Sequence, residues 1–127
     1  MSLRCEVDYG TRYPWVPGRA TLSRWVAAAG PARARGVVAV RVATPAQSAR
    51  LNGTYRGKPY ATNVLSFPAG PVPRVGDAAP LIGDLVICAR VVARESREQG
   101  KSLSAHWAHI VVHGVLHLLG HDHVEDN

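Results

Sequence analysis

Histidine is absent from the first 105 residues of this chain, and all six histidines fall between His106 and His123. Cysteine is scarce too. Cys5 and Cys88 are too few for a disulfide framework and are not spaced as a metal-binding pair. Both sit in apolar stretches, where a free thiol behaves as a small hydrophobe. A reducing compartment is therefore expected, and the cytoplasm fits best. No apolar run approaches the roughly 20 residues of a membrane span. The opening MSLRCEVDYG holds no long apolar run either, so no signal peptide is expected. Acidic residues are outnumbered, nine against fifteen Lys and Arg, for a net charge of +6. That excess favours polyanionic partners, nucleic acid first, because each neutralised phosphate releases counterions. A solvated basic surface that keeps the protein soluble accounts for the charge equally well.

What is present suits a packed core. The 127 residues are 46% hydrophobic, which fits one globular domain over residues 1–127. LRCEVDY, 3–9, alternates and reads as a strand. Residues 17–29 read as a helix ending at Gly30, and the β-branched run 37–42 as a buried strand. Thr44 and Pro45 supply a cap and a first-turn proline for a helix over 46–51. NVLSF, 63–67, reads as a strand stopped by Pro68. The proline- and glycine-rich stretch 68–80 reads as a loop. LIGDLVIC, 81–88, is a further strand, and helices are expected over 89–98 and 104–119, closed by Gly100 and Gly120. Strands and helices alternate irregularly, which predicts an α+β fold with helices packed on one small sheet.

The chemistry gathers in HGVLHLLGHDH, 113–123. His113 and His117 are four apart on the last predicted helix, so both imidazoles share one face. Gly120 can take the left-handed conformation that closes a helix and turns the chain. A turned chain brings His123 back toward the same ion. Three neutral ligands with a vacancy make a catalytic zinc arrangement, whereas structural zinc sites are usually closed by four protein ligands. Packed core histidines, each bonded to backbone, are the plainer alternative. The spacing is shared with zinc proteases of pattern HExxHxxGxxH. Those enzymes use the glutamate after the first histidine as general base. Here that position is Gly114, so proteolysis is disfavoured.

Three stretches carry a resemblance. HGVLHLLGHDH is similar to the H-G-x-L-H-L-x-G-Y-D-H signature of the YbeY family of metal-dependent endoribonucleases. YRGKPYATNVLSFP, 55–68, and LIGDLVIC resemble two further segments of that family, in the same order. The resemblance runs from about Leu51 to the end of the chain; the first fifty residues match only in their strand–helix–strand outline. It departs at His121, where the family usually has tyrosine, and at VEDN, where the family usually continues with an acidic helix. It implies a mixed sheet with helices around it and the metal at the end of the long C-terminal helix. His113, His117 and His123 would hold one zinc ion, and Arg56 would be the functionally important arginine. The implied substrate is single-stranded RNA, small-subunit ribosomal RNA in particular. Small-ribosomal-subunit proteins are possible partners, and neither DNA nor membrane is expected.

Around that core of residues the sequence offers supporting candidates. Arg56 can fork two oxygens of an anionic phosphorus centre; it could also be a surface loop arginine. Asp84, unusual inside an apolar strand, and Asp122 could fix the tautomer of a ligand histidine, or could be an edge-strand aspartate facing solvent and a turn aspartate. His109, one turn before His113, reads as a packed or supporting histidine, and His106 as a surface residue. Asn63 and Ser66 could touch RNA or serve the fold. Trp107 and Phe67 could stack on bases, but burial is the better expectation. Arg90, Arg94 and Arg97 share a helix face, as a phosphate-tracking ridge or a solvated one. Two other readings stay open: a non-catalytic ribosome-assembly factor with a structural zinc, and a zinc hydrolase of another substrate.

Overall fold

A computed structural model of the chain describes residues 2–70 and 79–120. Its elements run β1 (Leu3–Tyr9), α1 (Arg19–Ala29), β2 (Gly36–Ala43), α2 (Pro45–Arg56), β3 (Val64–Pro68), β4 (Leu81–Cys88), α3 (Ala89–Glu98) and α4 (Leu103–Leu118). The sheet order is β1-β2-β4-β3. β1 and β4 flank β2 in parallel, and β3 closes the edge antiparallel to β4. This is the α+β fold with a mixed sheet that the sequence predicts.

One face of the sheet carries the core. Val38, Val40 and Val42 of β2 and Leu85 and Ile87 of β4 meet Leu22 and Val26 of α1 and Trp107, Val111 and Val115 of α4. Strand side chains alternate faces, so Leu85 and Ile87 point to α4 while Asp84 and Val86 point away. A smaller cluster of Ala43, Leu65 and Val86 with Leu51 and Phe67 lies on the far face. The exposed Asp8–Arg41 pair, 3.1 Å apart, belongs to that face as well. Such a pair contributes at most about 1 kcal/mol.

Helix bounds differ from the sequence expectation by more than one residue in two places. α1 begins at Arg19, because Gly18 is extended and takes the cap position. α2 continues five residues past Leu51, to Arg56. A capping box starts it: Gln47 N donates to Thr44 Oγ1 and Thr44 N to Gln47 Oε1. Gly57, at φ 69°, ends it in the left-handed region. Arg56 is therefore a last-turn helical residue, not a loop residue. No helix among the described residues is long and apolar enough to cross a membrane.

Candidate metal and RNA cleft

Buried polar side chains place the end of α2 beside β3. Asn52 is 1% exposed and Ser48 2%. Asn52 Nδ2 donates to the Tyr60 carbonyl at 2.9 Å. Ser48 Oγ donates to the Thr62 carbonyl and accepts from Thr62 N. These bonds pin residues 57–62, the stretch between Arg56 and the edge strand. The result is a cleft of about 620 Å³ whose lining includes Arg56 from α2, Asn63 and Ser66 from β3, and His113 and His117 from α4. Gly114 lines it too, where a side chain would meet Leu85.

α4 is held by its Ser102 cap, whose Oγ accepts from Ala105 N at 3.1 Å. Its far end turns as the glycine suggests: Gly120 has φ 85° and donates to the His117 carbonyl. His113 is exposed and His117 half-buried, one turn apart on the wall of one cleft. His121, Asp122 and His123 lie outside the described residues. Among the described residues no three His, Cys, Asp or Glu side chains gather to hold an ion. Two imidazoles on one cleft wall fit a divalent metal such as zinc as part of a ligand set.

The histidines continue up the helix. His109 stacks on His113 with ring centroids 5.9 Å apart and on His106 at 6.3 Å. Desolvation lowers the His109 pKa, and the nearby charges of Lys101, His113 and His106 act in the same direction. His106 is not the surface residue that its position near the helix start suggests; it is 3% exposed. Its Nε2 lies 2.9 Å from Glu95 Oε1, and Glu95 also accepts from Asn63 Nδ2 at 3.0 Å. Asn63 Oδ1 accepts from Val64 N. Asn63 thus lines the cleft with its amide already engaged in bracing β3 against α3 and α4. Sequence reasoning missed Glu95. The available signal was its place three and four residues after Val92 and Val91, on the buried side of α3.

Other candidates sort by strand parity. Ser66 pairs with Leu85 and shares its α4-facing side. Asp84 does not come to the cleft. It pairs with Ala39 and Phe67 and lines a separate groove on the opposite sheet face with Glu6, Asp8 and Arg41. β4 is interior to the sheet, so Asp84 is a face-exposed aspartate, not an edge one. Trp107 is fully buried, as expected, while Phe67 packs edge-on against Tyr55 on the far face. On α3, Arg94 pairs with Glu98 at 3.9 Å, and Arg90 bonds Tyr13.

A family profile described as endoribonuclease YbeY matches residues 20–127. The chain belongs to the YbeY endoribonuclease family. It is 52% identical over 130 residues to endoribonuclease YbeY of Alkalilimnicola ehrlichii, covering 96% of this chain and 76% of that protein. It is 55% identical over 124 residues to the YbeY of Xanthomonas campestris pv. campestris, covering 94% and 76%. The solution structure of a Thermotoga maritima protein is similar in fold, with a TM-score of 0.50 at 19% identity, over 91% of this chain and 71% of that one. By its description, the family is one of endoribonucleases.

Proposed function

We propose that the chain is a zinc-dependent endoribonuclease specific for single strands, acting in the cytoplasm on small-subunit ribosomal RNA during its maturation. The observation that carries this reading is the meeting of His113, His117 and Arg56 in one cleft. His113 and His117 would hold the ion, with His123 as the third ligand. When bound, zinc supplies Lewis acidity toward a phosphoryl oxygen and acidifies water. The chain's own contribution is positional and electrostatic. Arg56 lines the same cleft as the imidazoles, and its planar guanidinium can donate to two phosphoryl oxygens at once. That contact strengthens as charge builds at phosphorus, which is where stabilisation raises rate. The Glu95 brace fixes β3 and the upper part of α4, so the two imidazoles keep their spacing. A cleft about 620 Å³ in volume accommodates a nucleotide and its flanking phosphates.

The test is a metal-reconstituted cleavage assay on single-stranded RNA with metal content measured on the same samples. His113→Ala should lose metal and cleavage together while keeping its circular dichroism. Arg56→Ala should keep metal and lose about 100-fold in rate, the scale of one lost transition-state donor. Wild-type protein that binds zinc yet leaves RNA intact would point to an assembly factor instead. Product ends separate the two possible nucleophiles, since attack by the ribose 2′-hydroxyl first leaves a cyclic phosphate.

A further inference from the structure

The segment TRYPWVPGR, 11–19, precedes the span matched by the family profile and takes no part in the cleft. It nevertheless builds an ordered surface. Tyr13 and Trp15 stack with ring centroids 4.7 Å apart and planes 6° from parallel. Tyr13 covers one face of the indole, and Trp15 is still 39% exposed. Prolines 14 and 17 fix φ on either side, which limits the freedom this platform loses on binding. Tyr9 ties the segment down by donating to the Pro17 carbonyl at 2.7 Å.

Three arginines surround these rings. Arg12 and Arg19 both lie over Tyr9, at 5.0 and 5.2 Å from its centroid. Arg90, from the first turn of α3, lies 5.1 Å over Tyr13 and donates to its hydroxyl at 2.9 Å. All three are exposed, and none forms an ion pair among the described residues. Two guanidinium groups sharing one ring repel each other, and ring contacts do not cancel their charge. A cavity of about 240 Å³ opens among Tyr9, Arg12, Tyr13 and Arg19. An anion there would neutralise both arginines, and a flat ring beside it could lie on Trp15. A phosphate next to an aromatic ring is the chemistry of a nucleotide, and aromatic platforms with basic flanks are how single strands are held without regard to sequence.

We propose that Trp15, stacked on Tyr13, together with Arg12, Arg19 and Arg90 forms a second binding subsite for single-stranded RNA, in which a base stacks on Trp15 and the adjoining phosphate bridges Arg12 and Arg19. The proposal rests on RNA being the substrate of the cleft. The two sites share no residue. β1 and β3 are opposite edges of the sheet, three strand spacings or about 14 Å apart. The subsite holds the strand away from the cut, so it acts on RNA affinity and KM and leaves kcat alone.

The experiment measures binding of a single-stranded 2′-O-methyl oligonucleotide to the full chain by fluorescence anisotropy, with cleavable RNA followed in parallel. Trp15→Ala and the double variant Arg12→Ala/Arg90→Ala should each weaken binding about fivefold or more, raise KM similarly and leave kcat unchanged. Trp15→Phe should restore most of the affinity. Circular dichroism checks each fold, and Trp15 is exposed enough for its truncation to be tolerated. Affinities within twofold of wild type in all folded variants would overturn the proposal. An equal loss of binding to duplex RNA and to anionic phospholipid vesicles would overturn it too, leaving a general anion-attracting surface. Binding is read without cleavage, so a wild-type chain that cuts no RNA would defeat the ribonuclease reading without deciding this one.

Discussion

A methyl group at position 114 would sit 2.9 Å from Leu85 Cδ2 and 3.1 Å from Cδ1. Leu85 is fully buried and has nowhere to go. The glycine in place of the protease glutamate is thus a packing requirement as well as a missing base: it lets α4 lie close on β4. Gly114→Ala regains about 1 kcal/mol of helix propensity but overpacks the core at a cost of about 1–3 kcal/mol. We expect a net loss of up to about 2 kcal/mol in urea denaturation, and a much larger one for Gly114→Glu, which also buries a carboxylate. A more stable alanine variant would refute the close approach. Cys5 gives a second expectation. Burial pushes its thiol up to about 11 against a smaller lowering by a hydrogen bond with Ser23. The thiolate is the reactive form, so Cys5 in the native protein should resist alkylation at pH 8 and gain reactivity only as pH rises toward 11. Rapid alkylation of folded protein at pH 8 would contradict this. The shared face of His113 and His117 was legible in the sequence because four residues make about one helical turn. Asp84 was not placed correctly, since its side of the sheet depends on which face α4 covers. His106 was misplaced because its partner, Glu95, comes from another helix.

At the scale of elements, strands were easier to read than helix ends. β1 and β4 match their alternation and apolar runs residue for residue. α2 did not, because its second half, NGTYR, opens with Asn52, Gly53 and the β-branched Thr54, weak helix formers. What holds the helix in place is tertiary: Asn52 and Ser48 are buried and bonded to the 60–62 backbone. The stop signal was Gly57, visible only once the left-handed turn is known. Gly57→Ala would force a side chain into φ 69°, at about 1–2 kcal/mol. Nothing stands within 4 Å of a Cβ there, so the cost is conformational rather than steric. Asn52→Ala should be worse for function than for fold. Its loss frees the Tyr60 carbonyl and loosens the connection between Arg56 and β3. We expect RNA cleavage to fall by more than the destabilisation explains, tested by comparing kcat/KM with the urea midpoint of the same variant. A drop in stability with unchanged kcat/KM would show that the Arg56 position does not depend on this bond.

The whole molecule distributes its charge unevenly, and the surplus behind its net +6 is not equally available to RNA. Arg41 is spent on Asp8 and Arg94 on Glu98. Arg56 has no ion pair among the described residues and stands at the cleft. Acidic side chains collect on the far face of the sheet, where Glu6, Asp8 and Asp84 line one groove. A polyanion is therefore steered toward the α2–β3–α4 side and away from that groove. The salt dependence of RNA affinity measures which cations take part, because each phosphate neutralised on a single strand contributes about 0.7 to the slope of log K against log salt. Arg56→Ala should lower the slope by about 0.7. Arg94→Ala should leave it nearly unchanged, since Arg94 stands on α3 outside the cleft and neutralises no phosphate there. Equal slope changes from the two variants would mean that RNA reads the total charge of the chain and not the cleft. A change for Arg94 alone would place the strand along α3, and the cleft would then lose its claim to the phosphates.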